Sequence, residues 1–194
     1  MDFNSFKGEL ERRLDGTRKL AIIGIGADLR EDDAVGNYLA RALVNDVQEM
    51  ARDMEVTITY APGEELAGSN LLILNASVVP EQYITTVMEF NPDTMIIVDA
   101  AQMGDEALPG DLAFIAEDEI DMVTGSTHTL SLNHFTGILK KLGSTARVVI
   151  IGVHPARLDY GEDLSAPVNS TLTFLKDFLI EQIKKLNLMD DSHA

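Results

Sequence analysis

The chain of 194 residues contains no cysteine. That excludes a disulfide framework, a thiolate metal site, an iron–sulfur cluster and a cysteine nucleophile, and it removes any redox marker of compartment. Positive charge is scarce as well: 15 Lys and Arg stand against 32 Asp and Glu, a net charge of −17. A nucleic-acid backbone or an anionic membrane surface repels such a chain, so neither is an expected partner. A cation, a basic partner or a neutral ligand stays open. Long apolar runs are missing: Leu20–Ile25 and Val148–Val153 fall far short of the ~20 residues a membrane helix needs. The start, Met-Asp-Phe-Asn-Ser-Phe-Lys, has no basic region followed by an apolar one. No membrane insertion and a cytoplasmic location are therefore expected. Repeats and low-complexity linkers are also absent. The length suits one domain over 1–194, with 1–17 a helical extension and 189–194 a polar tail. Nothing in the sequence fixes an oligomeric state.

What is present is an alternation of short apolar strands with helical patterns. Phe3, Phe6, Leu10 and Leu14 recur at spacings of three and four, the mark of an amphipathic helix. Lys19–Ile25 is a continuous apolar run, as in a strand buried on both faces. A helix is predicted from Asp33 to about Arg52, with Val35, Leu39, Leu43 and Val47 on one side. Val56–Tyr60 reads as a short strand, 61–70 as a loop and Leu71–Leu74 as a buried strand. Pro80 opens a helix that Asn91-Pro92 stops. Strands follow at Thr94–Val98, Asp111–Ile115 and Arg147–Val153, with 117–128 irregular and helices over Leu130–Leu142 and from Pro167 to Leu188. Such βαβ units predict an α/β fold: a three-layer α/β/α sandwich around a mostly parallel twisted sheet of about five strands. Ligands of such sheets bind outside the carboxyl ends of the strands. That rule directs attention to Gly26–Asp33, Asn75–Val79, Asp99–Gly104 and Gly152–Arg157.

Three side chains, two of them in these segments, are candidates for chemistry. Gly24-Ile-Gly26 begins like the dinucleotide pattern G-x-G-x-x-G, but position 29 is leucine. Asp28, Glu31, Asp32 and Asp33 crowd the place a phosphate would take, and like charges there repel. Asp32 and Asp33 suit helix capping, and one of the pair can cap while the other points into the crevice. Asp99 ends the run Met95–Val98; it is either a turn residue or a carboxylate held for a donor or cation. His128, in Thr124-Gly-Ser-Thr-His-Thr, is either structural or a ligand steadied by neighbouring hydroxyls. Together, Asp33, Asp99 and His128 offer two oxygens and one nitrogen, a set that suits a divalent cation such as zinc or nickel with positions left open. A serine hydrolase built on Ser126 or Ser131 with His128 competes, although no G-x-S-x-G elbow is present. His134 falls on an apolar helical face, His154 in a loop and His193 in the tail.

The ordered set Ile22-Ile-Gly-Ile-Gly26, Asp32-Asp33-Ala-Val-Gly36, Pro80-Glu81, Asn91-Pro92, Ile97-Val-Asp-Ala100, Met103-Gly104, Pro109-Gly110, Ser126-Thr-His128 and Ile151-Gly-Val-His-Pro155 resembles the hydrogenase maturation endopeptidases. The likeness covers roughly residues 19–186. It implies a peptidase-like domain that removes the C-terminal extension of a nickel-loaded large-subunit precursor of nickel–iron hydrogenase. It places the family's metal-binding and catalytic residues, two acids and a histidine, on Asp33, Asp99 and His128. The nickel belongs to the substrate, and zinc or cadmium would fit the same ligands. Two readings compete with it: a non-catalytic chaperone that binds a metalloprotein, and an unrelated divalent-metal hydrolase. The chain departs from the family at Ala27 (usually Asn), at Glu31 (commonly Gly) and at Asn75-Ala76-Ser77 (usually Asp-Gly-Gly).

Overall fold

The computed structural model describes residues 2–54, 65–67, 69–116 and 129–188. Side-chain alternation along the first strand sets the layering. β1 (Leu20–Gly24) is buried over its whole length, and successive side chains of a strand point to opposite faces. Leu20 and Ile22 join an apolar cluster with α1 (Phe3–Leu14), α2 (Val35–Met54) and α5 (Ala166–Lys185). Ala21 and Ile23 join a second cluster with α3 (Ile84–Phe90) and α4 (Thr129–Lys141). Helices thus cover both faces, which is the expected three-layer α/β/α arrangement.

The sheet contains β2 (Glu65–Ala67), β3 (Leu71–Asn75), β4 (Thr94–Ala100), β5 (Leu112–Ile115) and β6 (Arg147–Val153) besides β1. Its spatial order is β2-β3-β1-β4-β6-β5. The four central strands pair in parallel, and β2 and β5 close the edges antiparallel. The sheet is mostly parallel, as expected, with six strands among the described residues where about five are expected. One strand, β2, lies inside the stretch 61–70 read as a loop. Three residues are too few to show a period-two signal. Val56–Tyr60 lies outside the described residues.

Local chemistry refines other boundaries. The helix read from Asp33 opens with a 3-10 turn over Glu31–Ala34 before α2 begins. Pro80–Tyr83 is likewise a 3-10 turn ahead of α3, and Asn91 stops α3 in a left-handed conformation with φ of 50°. The N-terminal helix is built into the core. Phe6, Leu10 and Leu14 are buried, Phe6 stacks on Phe114 with ring centroids 4.6 Å apart, and Phe3 stacks on Phe174 at 4.0 Å.

Candidate active site

Parallel register aligns the carboxyl ends of β1 and β4: Gly24 lies beside Val98, and the Ile25 N–H donates to the Val98 carbonyl at 2.9 Å. The first turn of α2 then presses directly onto this edge. A Cβ on Gly36 would sit 2.2 Å from the Val98 carbonyl oxygen and 2.3 Å from that of Ile25. Only glycine allows so close a backbone approach. It places the 3-10 turn carrying Asp32 and Asp33 against β4, where Asp99 follows Val98. Asp33 and Asp99 therefore come to the same rim. Both are nearly covered, with 2% and 4% of their surface exposed. By alternation Asp99 points to the face of Met95 and Ile97, the face covered by α3 and α4.

The two adjacent acids have separate structural partners. Asp33 accepts from the Ala27 N–H at 3.1 Å, which folds the β1–α2 loop around it. Asp32 is fully buried and accepts from three main-chain donors of the β6–α5 loop. One oxygen takes Ala156 and Arg157 at 2.8 and 3.1 Å, and the other takes Ser165 at 2.6 Å. The sequence suggests that one or both of this pair cap the helix, but the turn is capped by Arg30 without a side-chain bond. The Asp32 carboxylate instead ties together two loops distant in sequence. More bonds run between the same loops: Glu31 N–H to the Gly161 carbonyl at 2.9 Å, Gly161 N–H to the Leu29 carbonyl at 3.0 Å, and Arg30 to the Leu158 carbonyl at 2.9 Å. The Glu31 carboxylate pairs with Arg157 at 3.2 Å.

This wiring also answers the nucleotide question. The amides a phosphate would need are used within the protein: Gly26 donates to the Ser77 carbonyl, Ala27 to Asp33 and Arg30 to the Ala27 carbonyl. Asp28 is held by Arg41 and by the Asn37 side-chain amide. Of the other sequence candidates, His128 and Ser126 lie outside the described residues, as do His193 and the side chain of Ser131. His134 is exposed on α4 rather than on an apolar face. Among the described residues no three His, Cys, Asp or Glu side chains converge as a metal site. None of their helices is long and apolar enough to cross a membrane.

Two positions escaped the sequence reading. Asp32 reads in the sequence as a capping residue, and its buried role depends on partners more than 120 residues away. His154 reads in the sequence as a loop residue, yet its Nδ1 accepts from the Met103 N–H at 3.0 Å, on the segment that leaves Asp99. Its place just after β6, at the rim where ligands bind, marks the segment but not the contact.

Two covered carboxylates therefore lie on one rim of a mostly parallel α/β sheet, and the class of protein that this fold serves follows from its likeness to known proteins. The family model for hydrogenase maturation protease matches residues 44–182. A protein of Methanocaldococcus jannaschii assigned as a hydrogenase maturation protease is 32% identical over 91% of this chain and 95% of its own. The crystal structure of the nickel–iron hydrogenase maturation protease HycI from Thermococcus kodakarensis superposes with a TM-score of 0.67 at 26% identity, covering 91% of this chain and 99% of that one. The hydrogenase maturating endopeptidase HybD from Escherichia coli shares the fold, with a TM-score of 0.63 at 19% identity over 86% and 93% of the two chains. The chain belongs to the hydrogenase maturation protease family.

Proposed function

We propose that this protein is a cytoplasmic endopeptidase that cuts the C-terminal extension from a nickel-loaded large-subunit precursor of nickel–iron hydrogenase. Asp33, Asp99 and His128 meet the nickel carried by the substrate. The observation that carries this reading is the convergence of Asp33 and Asp99 at one sheet rim, enforced by the contact of Gly36 with β4, in a chain of this family. Two carboxylate oxygens and an imidazole nitrogen suit a borderline divalent cation. His128 directly precedes α4 in the chain, and α4 covers the face to which Asp99 points.

Gripping the substrate's metal would fix one peptide bond relative to the enzyme. Fixed geometry of this kind can supply roughly 7–11 kcal/mol of the barrier to a reaction. A carboxylate of the pair, or the metal itself, then activates the attacking water. Zinc or cadmium added to the isolated protein would compete for the same three ligands. The test is precursor cleavage followed by intact-mass measurement. Asp33→Asn, Asp99→Asn and His128→Ala are each expected to lower processing at least about a hundredfold, in line with the loss of a positioning or proton-transfer group. Undiminished cleavage by Asp99→Asn and His128→Ala would refute the assignment. A stable complex without a shortened product would favour a chaperone instead.

A further inference from the structure

β4 ends at Ala100, yet the chain beyond it stays bonded to the end of β6. The Ala101 N–H donates to the Val153 carbonyl at 2.9 Å. Parallel pairing would next carry the Met103 N–H to a main-chain carbonyl two residues further on, at Pro155. The Met103 N–H instead donates to His154 Nδ1 at 3.0 Å. The imidazole therefore supplies the rung that the backbone does not. The main chain of His154 is committed elsewhere: its N–H donates to the Asp111 carbonyl, and its carbonyl accepts from the Gly110 N–H, both at 2.8 Å. One residue thus holds the β4–β5 loop where it leaves the rim and where it returns. An imidazole that accepts at Nδ1 in its neutral form carries its proton at Nε2.

We propose that His154 is a positioning residue of the peptidase site. Its Nδ1 extends the β4–β6 ladder past Asp99 by one side-chain bond, and so fixes the backbone that presents the Asp99 carboxylate. The assignment rests on the reading of Asp99 as a ligand to the substrate's metal. His154 acts through that backbone and not on the reacting atoms.

Three variants separate this role from others. His154→Asn puts an oxygen acceptor close to the position of Nδ1. His154→Gln moves the acceptor outward, towards the position of Nε2. His154→Ala removes it. The lost bond is worth about tenfold in rate if its full net strength is expressed at the site. We therefore expect kcat for processing of nickel-loaded precursor to fall about tenfold in His154→Ala and His154→Gln, and to stay within about twofold of wild type in His154→Asn. Amide hydrogen exchange over residues 100–104, read without substrate, should quicken in the Ala and Gln variants and match wild type in the Asn variant. Unchanged exchange in His154→Ala, wild-type processing by it, or rescue by Gln and not by Asn would overturn the proposal. If His154→Ala does not fold, the comparison of Asn with Gln carries the test. A wild-type protein that leaves the precursor intact while the exchange pattern holds would count against the functional reading, not against the contact.

Discussion

Asp32 and Asp33 are neighbours in the chain, but different surroundings claim them. Asp33 faces its own loop through Ala27, whereas Asp32 collects three amides of the β6–α5 loop. A buried amide left without its acceptor costs about 1–3 kcal/mol. Asp32→Ala should therefore lower folding stability by about 3–5 kcal/mol in a denaturant titration, below the simple sum because the loop can relax toward water. A loss under about 1 kcal/mol would show that the two loops are held by their other bonds. Glu31 and Ser77 occupy places where the family commonly carries glycine, and both keep the backbone glycine favours, with φ of 45° and 50°. Their side chains and neighbours hold that backbone locally. Glu31 pairs with Arg157, and the Ser77 N–H donates to the Asn75 side chain at 3.2 Å while its carbonyl accepts from Gly26.

The elements differ in how plainly the sequence announces them. The central strands are legible because burial on both faces demands uninterrupted apolar runs such as Leu20–Ile23 and Met95–Val98. α2 and α5 are legible through their apolar periodicity. β2 is not, being three residues at the sheet edge, and the 3-10 turns before α2 and α3 have no period of their own. Asp99 stands out as a candidate because it ends an apolar strand at a parallel sheet's carboxyl edge, and Asp33 because it closes the loop that follows β1. The tie made by Asp32 and the rung made by His154 do not stand out, because each depends on a pairing between segments far apart in the chain. Packing between helices adds a pH-dependent contribution. Lys176 on α5 lies 2.6 Å from Asp46 on α2 and 3.1 Å from Asp177. The hydrogen bond to Asp46, followed by that to Asp177, raises the lysine pKa above its ordinary value. The stabilisation is then complete below the unfolded lysine pKa and disappears as pH rises through the higher folded one. Lys176→Met should be less stable than wild type at neutral pH by about 0.2–1 kcal/mol, the range for partly exposed pairs. That gap should close in strongly alkaline buffer; a gap constant across the lysine titration would mean that packing, and not charge, is responsible.

Taken whole, the molecule carries a net charge of −17 and places two carboxylates at the rim of a sheet shared with hydrogenase-processing peptidases. A field of that sign favours approach of a cationic site and weakens as salt screens it. Sheet order, the glycine contact beneath the 3-10 turn and the ties between loops all serve to hold Asp33 and Asp99 at one edge. The function proposed for that edge is recognition of a metal that arrives with the substrate. The most direct measurement incubates the purified protein with the same large-subunit precursor prepared with and without nickel, and follows loss of the C-terminal extension by intact mass. The expected result is a shortened product from the nickel-loaded precursor and an intact chain from the nickel-free one. Equal cleavage of the two would contradict it.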